Sequence, residues 1–147
     1  MRSLLVALEA ALAPVLAAAL AAALMGCTSP APGPPAMKTL NGTLTYRLRI
    51  ALPPDTEAIV RLVDVSRANA PATVIAETRF RTNGRQVPLP FRLEYDPARI
   101  DPRMRYSVSG ELRAGERILF LNTTRHSVLT QGAPSDNVEI LLEQAGR

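Results

Sequence analysis

From Thr39 onward apolar residues recur at every second position, and that one pattern excludes most folds for this chain. Leu40, Gly42, Leu44, Tyr46, Leu48, Ile50 and Leu52 alternate with Asn41, Thr43, Thr45, Arg47, Arg49 and Ala51. Side chains of an extended backbone point alternately to opposite faces, so a period of two reads as one long strand with an apolar face and a basic, polar face. Pro53-Pro54-Asp55 ends it. Ala58, Val60 and Leu62 continue the alternation in a second strand to about Val65, and Val74, Ala76, Thr78 and Phe80 give a third, followed by an Asn83-Gly84 turn signal. Val87, Leu89, Phe91, Leu93 and Tyr95 form a fourth. Pro88 and Pro90 fall on its outward phase, and a residue without an N–H belongs at a sheet edge or a bulge. Asp96–Pro102 reads as a single helical turn with Asp96 as cap and Pro97 in first position. Tyr106, Val108, Gly110 and Leu112 make a fifth strand, turned by Ala114-Gly115. A sixth follows, carried by Ile118, Phe120 and Asn122 or by the opposite phase, Leu119 and Leu121. After a loop over Val128–Asp136, Val138, Ile140 and Leu142 make the last. The expected fold is therefore all-β: a small antiparallel β-sandwich of about seven strands over residues 39–144, with an incomplete barrel as the runner-up.

The segment before the strands has a different character. Met1-Arg2-Ser3 is a short positive start, and Leu4–Met25 is apolar apart from Glu9 and Pro14. About 20 apolar residues suffice to cross a bilayer, but the glutamate and the helix-breaking proline argue against a permanent span. Residues 1–26 read as an export signal. Leu24-Met25-Gly26-Cys27 resembles the bacterial lipobox, in which small residues precede a cysteine that becomes the first residue of the mature chain. That resemblance implies diacylglycerol on the Cys27 sulfur, cleavage before it, and an acyl chain on the new amine. Cleavage after Ala19 or Ala23, or an uncleaved anchor, are the alternatives. Thr28, in place of an aspartate, follows the cysteine, which in such signals favours the outer membrane. Residues 27–38 then form a tether with four prolines, an extended spacer that cannot build a core.

With one Cys and one His, the chain lacks the ligands for a disulfide framework, a Cys/His zinc site or an iron–sulfur cluster. His126 is the only imidazole. A triad with Ser107, Ser127 or Ser135 lacks any surrounding nucleophile-elbow motif, and a loop histidine is the simpler reading. Asp64-Val65-Ser66, Asp96 and Asp101 read as turn-stabilising side chains bonded to their own backbone. The three Tyr and three Phe fall mostly on inward phases and read as core. Basic residues number 17 against 13 acidic, and all but Lys38 are arginine. Arg47, Arg49, Arg79 and Arg81 lie on or beside outward strand positions, where they either pair with Glu57, Glu77 and Glu94 or meet an anionic partner such as lipid phosphate or an acidic protein tail.

Taken together, Gly42–Arg47, Ile50–Asp55, Leu62–Ser66, Ala70-Pro71-Ala72, Tyr95–Pro102 and Gly132–Asp136 with the final apolar strand resemble the YbaY/YscW-like bacterial lipoproteins. The resemblance implies a β-sandwich lipoprotein. Secretion members of that family act as pilotins that bind an outer-membrane secretin subunit; it implies no catalytic residues. The expectation is a non-enzymatic lipoprotein at the periplasmic face of the outer membrane that binds or chaperones an envelope component. A pilotin for a secretin is the first alternative. A periplasmic hydrolase, or a lipoprotein binding lipid or lipopolysaccharide, is the second. No cofactor beyond the covalent lipid on Cys27 and no nucleic-acid partner is expected.

Overall fold

The computed structural model describes residues 33–146, so the expected export signal, Cys27 and the first part of the expected tether lie outside the described residues. Eight strands follow one another: β1 (Lys38–Tyr46), β2 (Glu57–Asp64), β3 (Thr73–Arg81), β4 (Leu89–Tyr95), β5 (Tyr106–Ala114), β6 (Arg117–Leu121), β7 (His126–Val128) and β8 (Val138–Gln144). They form one sheet in the order β3-β2-β5-β6-β8-β1-β4, with β7 pairing β5 off this path.

The all-β expectation holds, and the runner-up architecture describes the sheet better. β8 bonds to β1 on one side and, through Phe120 opposite Gln144 and Leu121 opposite Glu143, to β6 on the other. What would be two layers of a sandwich is thereby one sheet curled into a nearly closed barrel. β3 and β4 border the remaining seam. Near its Tyr95 end Arg99 spans the gap, donating from Nη1 to the Ile75 carbonyl and from Nη2 to that of Val74. A charged fork over an unpaired edge is one way sheets discourage association through that edge.

Three other expectations need correction. The sheet is not wholly antiparallel, because β1 and β8 run parallel, with Gly42 opposite Val138 and Tyr46 opposite Leu142. The first strand stops at Tyr46 instead of running to Leu52: the Tyr46 ring stacks on Phe120 with centroids 4.1 Å apart, and its hydroxyl donates to the Ile50 carbonyl at 2.7 Å. That bond turns the chain out of the sheet, so Leu48 and Ile50 are exposed while Leu52 is buried. Val74 is also exposed, because a bulge between Leu62 and Val63 shifts the β2–β3 register and reverses its phase. β4 alternates buried and exposed without exception and lies at a sheet edge, as Pro90 within it favours, while Pro88 falls just before the strand. The Asp96 turn also forms as expected, with Asp96 Oδ1 accepting from the Ala98 N–H at 2.8 Å.

The barrel interior is filled from all sides by Leu40, Leu44, Val60, Leu62, Leu89, Leu93, Val108, Leu112 and Ile140. Five of the six aromatics are buried there, and Phe80 packs against its margin. Two inward positions are glycine because larger neighbours occupy the space: a Cβ on Gly42 would meet the Phe91 ring at 2.6 Å, and one on Gly110 would meet Leu44 Cδ2 at 2.7 Å.

Strand directions give the barrel two poles. The near pole holds the start of β1 at Lys38, the β2–β3 loop, the Asp96 turn and the connections between β6 and β8. The far pole holds the loop over residues 47–56, the turn over 82–88, the β5–β6 turn and the end of β8.

Candidate functional site

The far pole gathers the chain's most unusual surface. The loop over 47–56 is held rather than loose. Burial pushes the Tyr46 phenol above its ordinary pKa, so it remains a neutral donor to Ile50. Gln86 binds both polar groups of Leu52, accepting from its N–H at 2.7 Å and donating to its carbonyl at 3.3 Å. Thr82 N–H donates to the Thr56 carbonyl at 2.8 Å. Two loops far apart in sequence are thereby one fixed surface.

Beside this loop is a groove of about 380 Å³. Ile50, Leu52 and Pro53 form one wall, and Ile118, Leu119 and Phe120 with Gln144 and Ala145 the other. Ile50 and Ile118 are 48% and 37% exposed, so their apolar surface is open to an incoming group. Among the described residues, Arg117 is the only charged one in the lining. A second, shallower recess of about 560 Å³ lies against β1, β4 and the start of β8, with Asn41, Thr43, Arg92 and Glu139 on its walls. Pockets that bind ligands combine apolar walls with a few placed polar groups, and the first of these has mostly aliphatic and aromatic side chains on its walls.

The four arginines separate into two environments. Arg47 and Arg49 project from the far-pole loop, flanking the half-exposed Leu48, with no carboxylate partner among the described residues. Arg81 ends β3 at the same pole, exposed and in register with Glu57. Arg79 belongs to an ionic network on the outer face of β3, β2 and β5. Its Nε donates to Glu77 Oε1 at 2.5 Å, Arg61 bridges Glu77 and Glu111 at 2.5 and 3.3 Å, and Arg113 lies 2.7 Å from Glu111. The hydrogen bond from Arg79 holds the Glu77 carboxyl below its usual range. Ile59 stands in register with Arg79 and Glu111 on this face and is fully buried, although the alternation points it outward. Long charged side chains cover apolar surface with their stems.

The remaining candidates have structural partners. Asp64 Oδ1 accepts from the Ser66 N–H and hydroxyl, and Asp101 Oδ1 from the Arg103 N–H, both as turn-stabilising side chains. His126 lies on β7 rather than in a loop, with Nε2 enclosed and unpaired. The Ser107 hydroxyl donates to the His126 backbone carbonyl at 3.1 Å, not to the ring, so these two residues do not form a nucleophile–base pair. Among the described residues no three His, Cys, Asp or Glu side chains converge as a metal site. Gln86 and Ile118 carry much of the far pole's form, yet nothing in the sequence marks them. Gln86 sits in an irregular turn and Ile118 on a short strand of ambiguous phase.

Fold and site together define a small incomplete barrel whose accessible features are a groove and basic, apolar loops at one pole. Residues 35–141 match the family described as type III secretion system lipoprotein chaperone (YscW), and the chain belongs to that family. It is 33% identical over 102 residues to the uncharacterized lipoprotein YbaY of Escherichia coli (strain K12), covering 69% of this chain and 54% of that protein. The chain therefore spans about half the length of that curated relative. The structure of an alternative pilotin from the type II secretion system of Vibrio cholerae is similar over 76% of this chain and 100% of the other, with 41% identity and a TM-score of 0.72.

Proposed function

We propose that this protein is a non-enzymatic, lipid-anchored envelope chaperone that holds a segment of another envelope protein, as a pilotin does. The anchor is Cys27, with diacylglycerol on its sulfur and an acyl chain on its amine, at the periplasmic face of the outer membrane. No other cofactor takes part. One observation carries the reading: the barrel is similar along the full length of a secretion-system pilotin at 41% identity. Membership of a lipoprotein chaperone family supports it. The groove beside Ile50 and Ile118 is where a short apolar segment of the partner would be held. Its volume suits a few side chains, and its walls lose water when filled.

The test is a photo-crosslinking residue at Ile118, activated in intact cells and followed by mass spectrometry. An envelope protein is captured, and capture falls in the Cys27→Ser chain, which is no longer held at the membrane. A secretin subunit identifies a pilotin, and a different envelope protein a broader chaperone. Recovery of no envelope protein above the unirradiated control refutes the reading.

A further inference from the structure

The far pole also carries a surface that lies outside the groove's lining. Arg47, Leu48 and Arg49 open the 47–56 loop directly after β1 and are exposed, and Leu48, 48% exposed, does not line the groove. Neither arginine has a carboxylate partner among the described residues. The adjoining turn, tied to this loop through Gln86 and Leu52, adds Arg85. In the 47–56 loop the one acidic residue is Asp55, beyond the Pro53-Pro54 pair, and residues 82–88 contain none. Unpaired guanidinium groups around an exposed aliphatic side chain match the lipid–water boundary, where phosphates lie just outside the first acyl carbons.

The chain preceding the barrel has the length to make this contact. Residues 28–37 lie between Cys27 and the start of β1, and four of them are proline. Extended at about 3.1 Å per residue, ten residues reach roughly 31 Å. β1, from Lys38 to Tyr46, spans about 26 Å at 3.3 Å per residue. A spacer this long lets the far pole turn back to the bilayer that holds Cys27. Confinement on such a spacer gives the loop an effective concentration of about millimolar at the lipid surface, so a weak contact suffices.

We infer that Arg47, Leu48 and Arg49 form a second membrane contact, docking the far pole on an anionic lipid surface. The inference rests on the anchoring of Cys27 proposed above. The acyl chains on Cys27 retain the protein at the bilayer by themselves, so the basic loop sets the orientation of the barrel on that surface rather than its attachment. The contact also brings the groove beside the membrane, so a segment held there is presented at the interface it is to enter.

The test uses the full chain purified with its anchor. The chain contains no tryptophan, so Leu48→Trp introduces a unique reporter. Val74→Trp, at an exposed position of the near pole, is the control. Urea midpoints equal to the parent's establish that both variants fold. With vesicles of phosphatidylethanolamine and phosphatidylglycerol, emission from Leu48→Trp shifts to shorter wavelength and is quenched by bromine-labelled acyl chains, while Val74→Trp is unchanged. Adding Arg47→Glu and Arg49→Glu lowers the docked population by about 30-fold or more, two arginine contacts being lost, and the shift disappears. An equal shift on pure phosphatidylcholine overturns the inference, since the arginines then contribute nothing. So does an unshifted Leu48→Trp on vesicles that the chain demonstrably binds, which leaves the loop for a protein partner. Failure of the anchor itself is read separately, from the mass of Cys27 and from sedimentation with the vesicles.

Discussion

Gly110 offers the sharpest test of how the barrel interior is packed. It lies on the inward phase of β5, and an alanine methyl there would stand 2.7 Å from Leu44 Cδ2, 3.2 Å from Leu142 Cδ2 and 3.6 Å from Ile140 Cγ2. Ordinary contact begins near 3.4 Å, so the Leu44 methyl must retreat by at least the difference, 0.7 Å. Leu44 is fully buried and has no free volume to enter. Overpacking of this kind costs about 1–3 kcal/mol. Alanine recovers about 0.4–1 kcal/mol by restricting the unfolded chain. Gly110→Ala therefore destabilises by about 1–2 kcal/mol, which lowers the urea midpoint by roughly 0.5–1 M at the slope usual for small domains. Leu44→Ala alone costs about 2–5 kcal/mol through the cavity it leaves. In that background the methyl on residue 110 enters the vacated space, so the double variant is no less stable than Leu44→Ala. The coupling is about 1–2 kcal/mol, read from a double-mutant cycle of urea unfolding with unchanged slopes. If Gly110→Ala costs the same in both backgrounds to within about 0.5 kcal/mol, the contact with Leu44 is not what keeps this position glycine.

Tyr46→Phe keeps the stack on Phe120 but loses the bond to Ile50, costing about 0.5–1.5 kcal/mol and speeding tryptic cleavage after Arg47 and Arg49, as measured by peptide mapping. Ile59→Ala destabilises by about 2–5 kcal/mol, whereas Ile118→Ala changes stability by less than about 0.5 kcal/mol; equal costs in urea would contradict the burial that separates them. Asp101, bonded to the Arg103 side chain and N–H, has its pKa lowered from 3.8 to about 2, so it stays charged in the folded chain where the unfolded chain takes up a proton. Its contribution is complete above about pH 4 and is lost as pH falls through about 2. Urea midpoints of Asp101→Asn accordingly fall less steeply across that interval than the parent's.

The route from residues to fold was legible wherever a local rule sufficed. The alternation in Leu89–Tyr95 set the buried face of β4, and the missing N–H of Pro90 pointed to its place at an edge. Asp96-Pro97 specified its own turn. The far pole was only half legible. Arg47 and Arg49 stood out as basic residues, but the alternation placed them on a strand, while the bond from Tyr46 to Ile50 leaves them in the loop that follows β1. The groove was not visible at all, because its two walls come from residues 50–53 and 117–120 and meet only in three dimensions.

The sequence by itself determined that this chain is made of strands, which side chains of most strands turn inward, and where most of the turns fall, because these follow from backbone geometry within a few residues. Tertiary structure alone decided that β8 joins β1 in parallel and β6 in antiparallel to curl one sheet into a barrel, and that an ionic network covers Ile59 while Ile118 stays open. A period of two states which face a residue occupies; it carries no information about which strand lies alongside or what lies over that face.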